Sequence, residues 1–114
     1  VSAANLRRGF AKGTPNNVIE PIDKIRETCS PKVTYRDWVA DDSCDFMSRL
    51  PDIGVPALAI CGDEDEFTPV KYHEYFRDHL PNCQLEIIEG AGHWPFIEQP
   101  EEFDHRILNF LDNL

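Results

Sequence analysis

Two residues carry most of the chemical interest in this chain. His93 follows Gly90-Ala91-Gly92 and precedes Trp94-Pro95. Glycines beside a histidine let the backbone take a tight path and present the imidazole into a cleft. Asp65 sits in a second polar loop, Gly62-Asp63-Glu64-Asp65-Glu66-Phe67-Thr68-Pro69. An acid that accepts from one ring nitrogen of a histidine fixes its tautomer, which is what a general base requires. The plain alternatives are a loop histidine without a role and a solvated acidic loop. Asp63 competes with Asp65 for the acid, although strand alternation aims it differently.

Other constellations say less. His73 and His79 are six residues apart, so a helix puts them on different faces, against a zinc pair. His105 falls off the apolar stripe of the last helix and is expected to face solvent. Asp41, Asp42 and Asp45 lack the spacing of an EF-hand loop and read as a solvated turn. Cys29, Cys44, Cys61 and Cys83 contain no CxxC pair. Cys61 falls inside an apolar run, where a thiol is inert.

The elements that must position the acid and histidine lie in the second half. Val55–Cys61 is a continuous apolar run stopped by Gly62, as in a strand covered on both faces of a parallel sheet. Thr68-Pro69 predicts a helix N-cap and first-turn proline. Tyr72, Tyr75, Phe76 and Leu80 then recur at helical spacing, and Pro81-Asn82 ends the helix. Leu85, Ile87 and Ile88 mark a second strand, stopped by Gly90. A last helix begins near Gln99-Pro100, with Glu101 and Glu102 in its first turn, where the helix dipole favours acids. Phe103, Ile107, Phe110, Leu111 and Leu114 form its apolar stripe. A strand–helix–strand crossover of this length makes the strands parallel. Active sites in such sheets lie at the carboxyl ends of the strands, where both polar loops fall. Two strands cannot cover both their faces alone, so the sheet is expected to continue in another segment or chain.

Residues 1–50 read as helices broken by loops. Ser2 is the expected cap of a helix over Ala3–Lys12, stopped by Gly13. Thr14-Pro15-Asn16-Asn17 is a loop, and Val18–Thr28 a second helix with Pro21 near its start. Ser30-Pro31 breaks the pattern. Residues 32–50 are helical in pieces, with Trp38, Phe46, Met47 and Leu50 as apolar anchors.

The chain has 114 residues, 41% of them hydrophobic and 28% charged, which suits one small domain with a packed core. The net charge of −10 opposes binding to a phosphate backbone, and nucleic acid is excluded as a partner. No apolar stretch approaches the roughly 20 residues that cross a bilayer. Without a signal peptide or dense cysteines, a reducing cytoplasm is the expected location. The chain opens on Val1 rather than Met, which suits a fragment or a processed chain.

Three stretches together resemble the α/β-hydrolase superfamily, in its esterase, lipase and haloperoxidase-like branch. They are "VPALAICGDEDEFTPV", "LEIIEGAGHWPFIEQPEEF" and the closing "ILNFLDNL", spanning roughly residues 53–114. The resemblance implies an α/β fold in which residues 51–114 are the C-terminal part of the core, its last two parallel strands with flanking helices. It implies that residues 1–50 are helical cap segments and the return to the core, the return being "TYRDWVADDSCDFMSRLPDI". On this pattern Asp65, in Gly62-x-x-Asp65, is the triad acid and His93 the triad base. Glu98 matches the family's glutamate before the final helix and is expected to tie the histidine loop to that helix. Trp38, Phe46 and Trp94 are candidates for lining a substrate pocket, with plain core or interface roles as the alternative.

The departure from the family is large. No Gly-x-Ser-x-Gly occurs, and none of Ser2, Ser30, Ser43 and Ser48 lies between glycines. The nucleophile and the oxyanion donors are therefore expected upstream of this chain. Three readings follow. The first is a serine-esterase-like hydrolase as an intact protein, acting on a small ester, thioester or related acyl substrate, without metal or organic cofactor, the 114 residues alone being inactive. The second is a non-catalytic module that forms a homo-oligomer or associates with an upstream half through an unpaired sheet edge. The third is a family member that lost catalysis and binds a small molecule, since fold does not settle function.

Overall fold

A computed structural model describes residues 3–114 of the chain. The expected Ser2 cap lies outside the described residues. Helix α1 spans Ala3–Arg8, α2 Asn16–Glu27 and α3 Pro31–Ser43, followed by a 3₁₀ turn over Met47–Asp52. Then come strand β1 (Ala57–Gly62), helix α4 (Val70–His79), strand β2 (Cys83–Ile88), a single turn α5 (Pro95–Glu98) and helix α6 (Pro100–Asp112).

The two strands pair in parallel, with Ala57 opposite Cys83 and Gly62 opposite Ile88. The crossover is α4, which packs against both strands. Helix α6 packs against β2, where Arg106 bonds both Glu102 on its own helix and Glu86 on the strand. The outer edge of β1 has no strand partner among the described residues. Beside it runs an open apolar groove of about 530 Å³, lined in part by Leu58, Ile60, Phe103, Ile107 and Phe110. Stripe residues Leu111 and Leu114 are exposed.

Two clusters are buried. At the strand ends, Cys61, Ile88 and Ala91 are nearly inaccessible. Between the first two helices and the histidine loop, Leu6, Phe10 and Ile19 form a small core, against which Val18, Ile22, Trp94 and Ile97 pack. The second cluster joins the N-terminal helices to the strand ends.

Four expectations change. Helix α1 ends at Arg8 rather than Lys12: the N–H groups of Gly9 and Phe10 still turn back onto it, and the chain then continues as a strap bonded to the strand-end loops. His93 N–H donates to the Gly9 carbonyl at 2.6 Å, and Lys12 N–H to Glu64 Oε2 at 2.9 Å. Pro21 lies inside α2, whose first residue is Asn16, rather than near its start. Of the four anchors named in residues 32–50 only Leu50 is buried; Trp38, Phe46 and Met47 are exposed. Helix α4 starts at Val70, and Thr68 makes no capping bond to it. Its hydroxyl is engaged elsewhere, at the site described next.

Candidate functional site

The site forms where the loops after β1 and β2 meet. Asp63 N–H donates to the Ile88 carbonyl at 3.1 Å and Glu64 N–H to the Ala91 carbonyl at 2.9 Å. Gly90 N–H donates to Asp63 Oδ1 at 2.7 Å. Asp63, the rival acid, thus ties the two loops together and does not reach the histidine. Only glycine fits at two points, one where the two loops meet and one where the histidine loop meets the segment after α1. A Cβ on Gly62 would stand 2.0 Å from the Ala91 carbonyl oxygen, and one on Gly92 would stand 2.4 Å from the Gly9 carbonyl oxygen. Both obstacles are backbone, so neither can swing aside.

Asp65 is 6% exposed and its carboxylate is fully engaged. Oδ1 accepts the backbone N–H of Phe67 at 2.8 Å and of Thr68 at 2.9 Å. Oδ2 accepts the Thr68 hydroxyl at 2.8 Å and lies 2.9 Å from His93 Nδ1. Burial by itself would raise the carboxyl pKa. The donors from the Thr68 backbone, His93, the Thr68 hydroxyl and the Phe67 backbone outweigh burial and hold it below the ordinary aspartate value. The carboxylate is therefore ionised at neutral pH and acts only as an acceptor. It follows that Nδ1 of His93 carries a proton and donates it. Nε2 takes no hydrogen bond within the described residues and is free to act as a base.

Nε2 belongs to a ring that is about one-third exposed, at the wall of a cleft of about 720 Å³. The cleft lies between the N-terminal helices and the strand-end loops. Trp38 and Trp94 both line it, together with Phe67. Phe46 is exposed and lies outside its wall. Phe67 and Trp94 each stand edge-on to the imidazole at 5.3 Å between ring centres, and Trp94 stacks obliquely on Phe10 at 4.7 Å. Arg8, paired with Glu66, forms a polar rim.

Glu98 holds the histidine loop from behind. Oε2 accepts Gly92 N–H at 2.8 Å, and Oε1 accepts Ala11 N–H at 2.7 Å and the Thr14 hydroxyl at 2.5 Å. The glutamate thus ties the loop to the strap over residues 11–14 rather than to the start of α6. The link to the start of α6 comes instead from Gln99, whose side-chain amide donates to the Glu89 carbonyl at 2.7 Å.

Two participants went unread in the sequence. Thr68 resembled a helix cap, yet its hydroxyl lies between the acid and the histidine, 3.2 Å from Nδ1. His73 Nε2 lies 3.2 Å from the Thr68 carbonyl and fastens that turn to α4. A Thr-Pro step before a helix carries no signal that the hydroxyl turns backward, and the position of His73 is set by helix packing. His79 stacks on Tyr75 at 3.7 Å, away from the site. Among the described residues no group of His, Cys, Asp or Glu is gathered as a metal site, and the four cysteines are free.

The family model of the α/β-hydrolase fold matches residues 23–100, which include both strands, Asp65 and His93. The chain belongs to the α/β-hydrolase fold family. It is 33% identical over 67 residues to a proline iminopeptidase of Lactobacillus delbrueckii subsp. lactis, a match covering 59% of the chain and 22% of the peptidase. It is 35% identical over 69 residues to a 2-hydroxy-6-oxononadienedioate/2-hydroxy-6-oxononatrienedioate hydrolase of Cupriavidus pinatubonensis, covering 60% of the chain and 24% of that enzyme. A bromoperoxidase structure from Bacillus anthracis superposes on 96% of the chain and 42% of its own, with a TM-score of 0.86 and 26% identity. The chain thus spans about a quarter of the length of these curated relatives. No helix among the described residues is long and apolar enough to cross a membrane.

Proposed function

We propose that this α/β-hydrolase chain supplies the acid and the base of a Ser-His-Asp site acting on an ester, thioester or related acyl compound. Its serine nucleophile and oxyanion donors lie outside these 114 residues. The observation that carries the reading is the 2.9 Å bond between His93 Nδ1 and an ionised, buried Asp65, with Nε2 left open beside a cleft. Nε2 would take the proton of the serine hydroxyl as its oxygen attacks the acyl carbon. The imidazolium would then return that proton to the leaving group as the tetrahedral intermediate collapses, and repeat the cycle with water on the acyl-enzyme. Asp65 stabilises the imidazolium throughout without taking its proton. The aromatic wall of Trp38, Phe67 and Trp94 suits an apolar portion of the substrate.

The test uses a polypeptide carrying this segment together with its nucleophile, incubated with a p-nitrophenyl ester and a fluorophosphonate probe. His93→Ala should lower turnover by roughly a thousandfold or more, as removal of a triad member does. Near-normal turnover in that variant would sink the assignment. The 114-residue chain by itself should neither label nor turn over; activity there would place the nucleophile among its own residues.

A second reading is favoured by the unpaired edge of β1 and the apolar groove beside it. On it the chain is a non-catalytic module that self-associates or docks on an upstream half through that edge. A monomer by light scattering at high concentration would count against self-association.

A further inference from the structure

We propose that Thr68 is a positioning residue for the acid–histidine pair, its hydroxyl locking Asp65 Oδ2 beneath the imidazole and holding His93 in the Nδ1-protonated tautomer. The effect on rate rests on the triad reading above; the effect on His93 itself does not.

The geometry assigns each atom one task. The hydroxyl has a single proton, and its short contact is the 2.8 Å one to Oδ2, an ionised acceptor. It therefore donates to the carboxylate and presents only lone pairs to His93 Nδ1 at 3.2 Å. The Nδ1 proton faces two acceptors, Oδ2 at 2.9 Å and, more weakly, Oγ1. In the other tautomer a bare Nδ1 at that place would meet only acceptors. Three of the Thr68 groups are used at once, since its N–H also holds Oδ1 and its carbonyl faces His73 Nε2. Rotating the side chain away would cost the buried Oδ2 one of its two donors.

The sign of the effect follows. The hydroxyl withdraws negative charge from Oδ2. Without it, the full charge of that oxygen acts on His93 and favours the imidazolium, so the histidine becomes harder to deprotonate. Loss of the weak second acceptor acts in the opposite direction, but a neutral oxygen at 3.2 Å counts for less than charge on a direct partner. The other charged groups around the ring are unaltered by the change: Arg8 with Glu66, Arg26 with Asp23, and Asp41 line or flank the cleft, and Glu98 holds the loop from behind.

The test is an NMR titration of the His93 ring in the full 114-residue chain, wild type against Thr68→Val and Thr68→Ser. The valine variant should move the midpoint upward, and serine should restore it. An unchanged midpoint in the valine variant overturns the proposal, because a merely structural threonine would leave the titration alone. Should valine prevent folding, Thr68→Ala gives the same reading. In a polypeptide that also carries the nucleophile, Thr68→Val should shift the acid limb of kcat/KM upward, lower kcat about threefold to tenfold at neutral pH and leave KM unchanged. A titration shift without His93-dependent hydrolysis keeps this role and removes the triad reading. Hydrolysis that depends on His93 but ignores Thr68→Val does the reverse.

Discussion

Glu98→Gln is the most informative stability test of the way the histidine loop is held. The substitution keeps the shape of the side chain and removes its charge. The carboxylate accepts three donors: Gly92 N–H, Ala11 N–H and the Thr14 hydroxyl. A glutamine has one oxygen, so its amide must point at a donor whichever way it turns. The cheaper orientation sets the NH₂ against Gly92 and keeps the two bonds to the strap. It leaves the N–H of a buried residue unsatisfied, at a cost of about 1–3 kcal/mol. The two retained bonds lose their charge assistance, about 0.5–1 kcal/mol each. The sum is about 3 kcal/mol, a large share of the roughly 5–15 kcal/mol by which a domain is stable. Urea unfolding followed by tryptophan fluorescence measures it, since Trp94 packs on Phe10 of the same strap. With a slope of about 1.5 kcal/mol per molar, the midpoint should fall by about 2 M. Thr14→Val, which removes one donor of the three, should cost about a third as much. A Glu98→Gln midpoint within about 0.3 M of wild type, at unchanged slope, would show that water replaces these bonds freely and that the clamp does not hold the loop.

Two further outcomes follow from the shifted acid and thiol. Asp65 has a folded pKa below its unfolded one, so it contributes stability above the unfolded value that is lost as pH falls through the folded value. Asp65→Asn should therefore be less stable than wild type at pH 7, and the gap should close as pH falls below about 4; a gap constant with pH would contradict the ionised carboxylate. Cys61 is 2% exposed, and burial, with Asp65, Glu74 and Asp63 adding to it, pushes its thiol up to about 11. Iodoacetamide at pH 8 should alkylate the exposed Cys29 and Cys44 and spare Cys61 until urea unfolds the chain, as peptide mass mapping would read; equal labelling of all three would refute the buried, protonated thiol.

The second half of the chain was largely legible because its patterns are local. An apolar run over Val55–Cys61, a helical repeat, a second run marked by Leu85, Ile87 and Ile88, and a proline with acids at a helix start predict the strand–helix–strand–helix order; the strands themselves span Ala57–Gly62 and Cys83–Ile88, with α4 between them and α6 after. The parallel pairing followed from the length of the crossover. Strand polarity then places Asp65 and His93 at one end of the sheet. The first half was read less well. Helix α3, which carries Trp38, has no buried residue, and Phe46 beyond its end is exposed, so neither position is set by a core that periodicity could reveal.

What the sequence alone determined is therefore the order of the elements, the edge of the sheet where chemistry can occur, and the residue types available there. Only the tertiary structure decided which groups touch. Asp63 and Asp65 differ by two positions, yet one braces the loops and the other meets the histidine. Thr68 left a helix cap for the carboxylate, and Glu98 turned from the last helix to a strap 84 to 87 residues earlier in the chain. The physical reason is that a buried donor or acceptor must find a partner wherever the chain crosses. That crossing is set by the close approach of backbones at Gly62 and Gly92, a distance that no local pattern encodes.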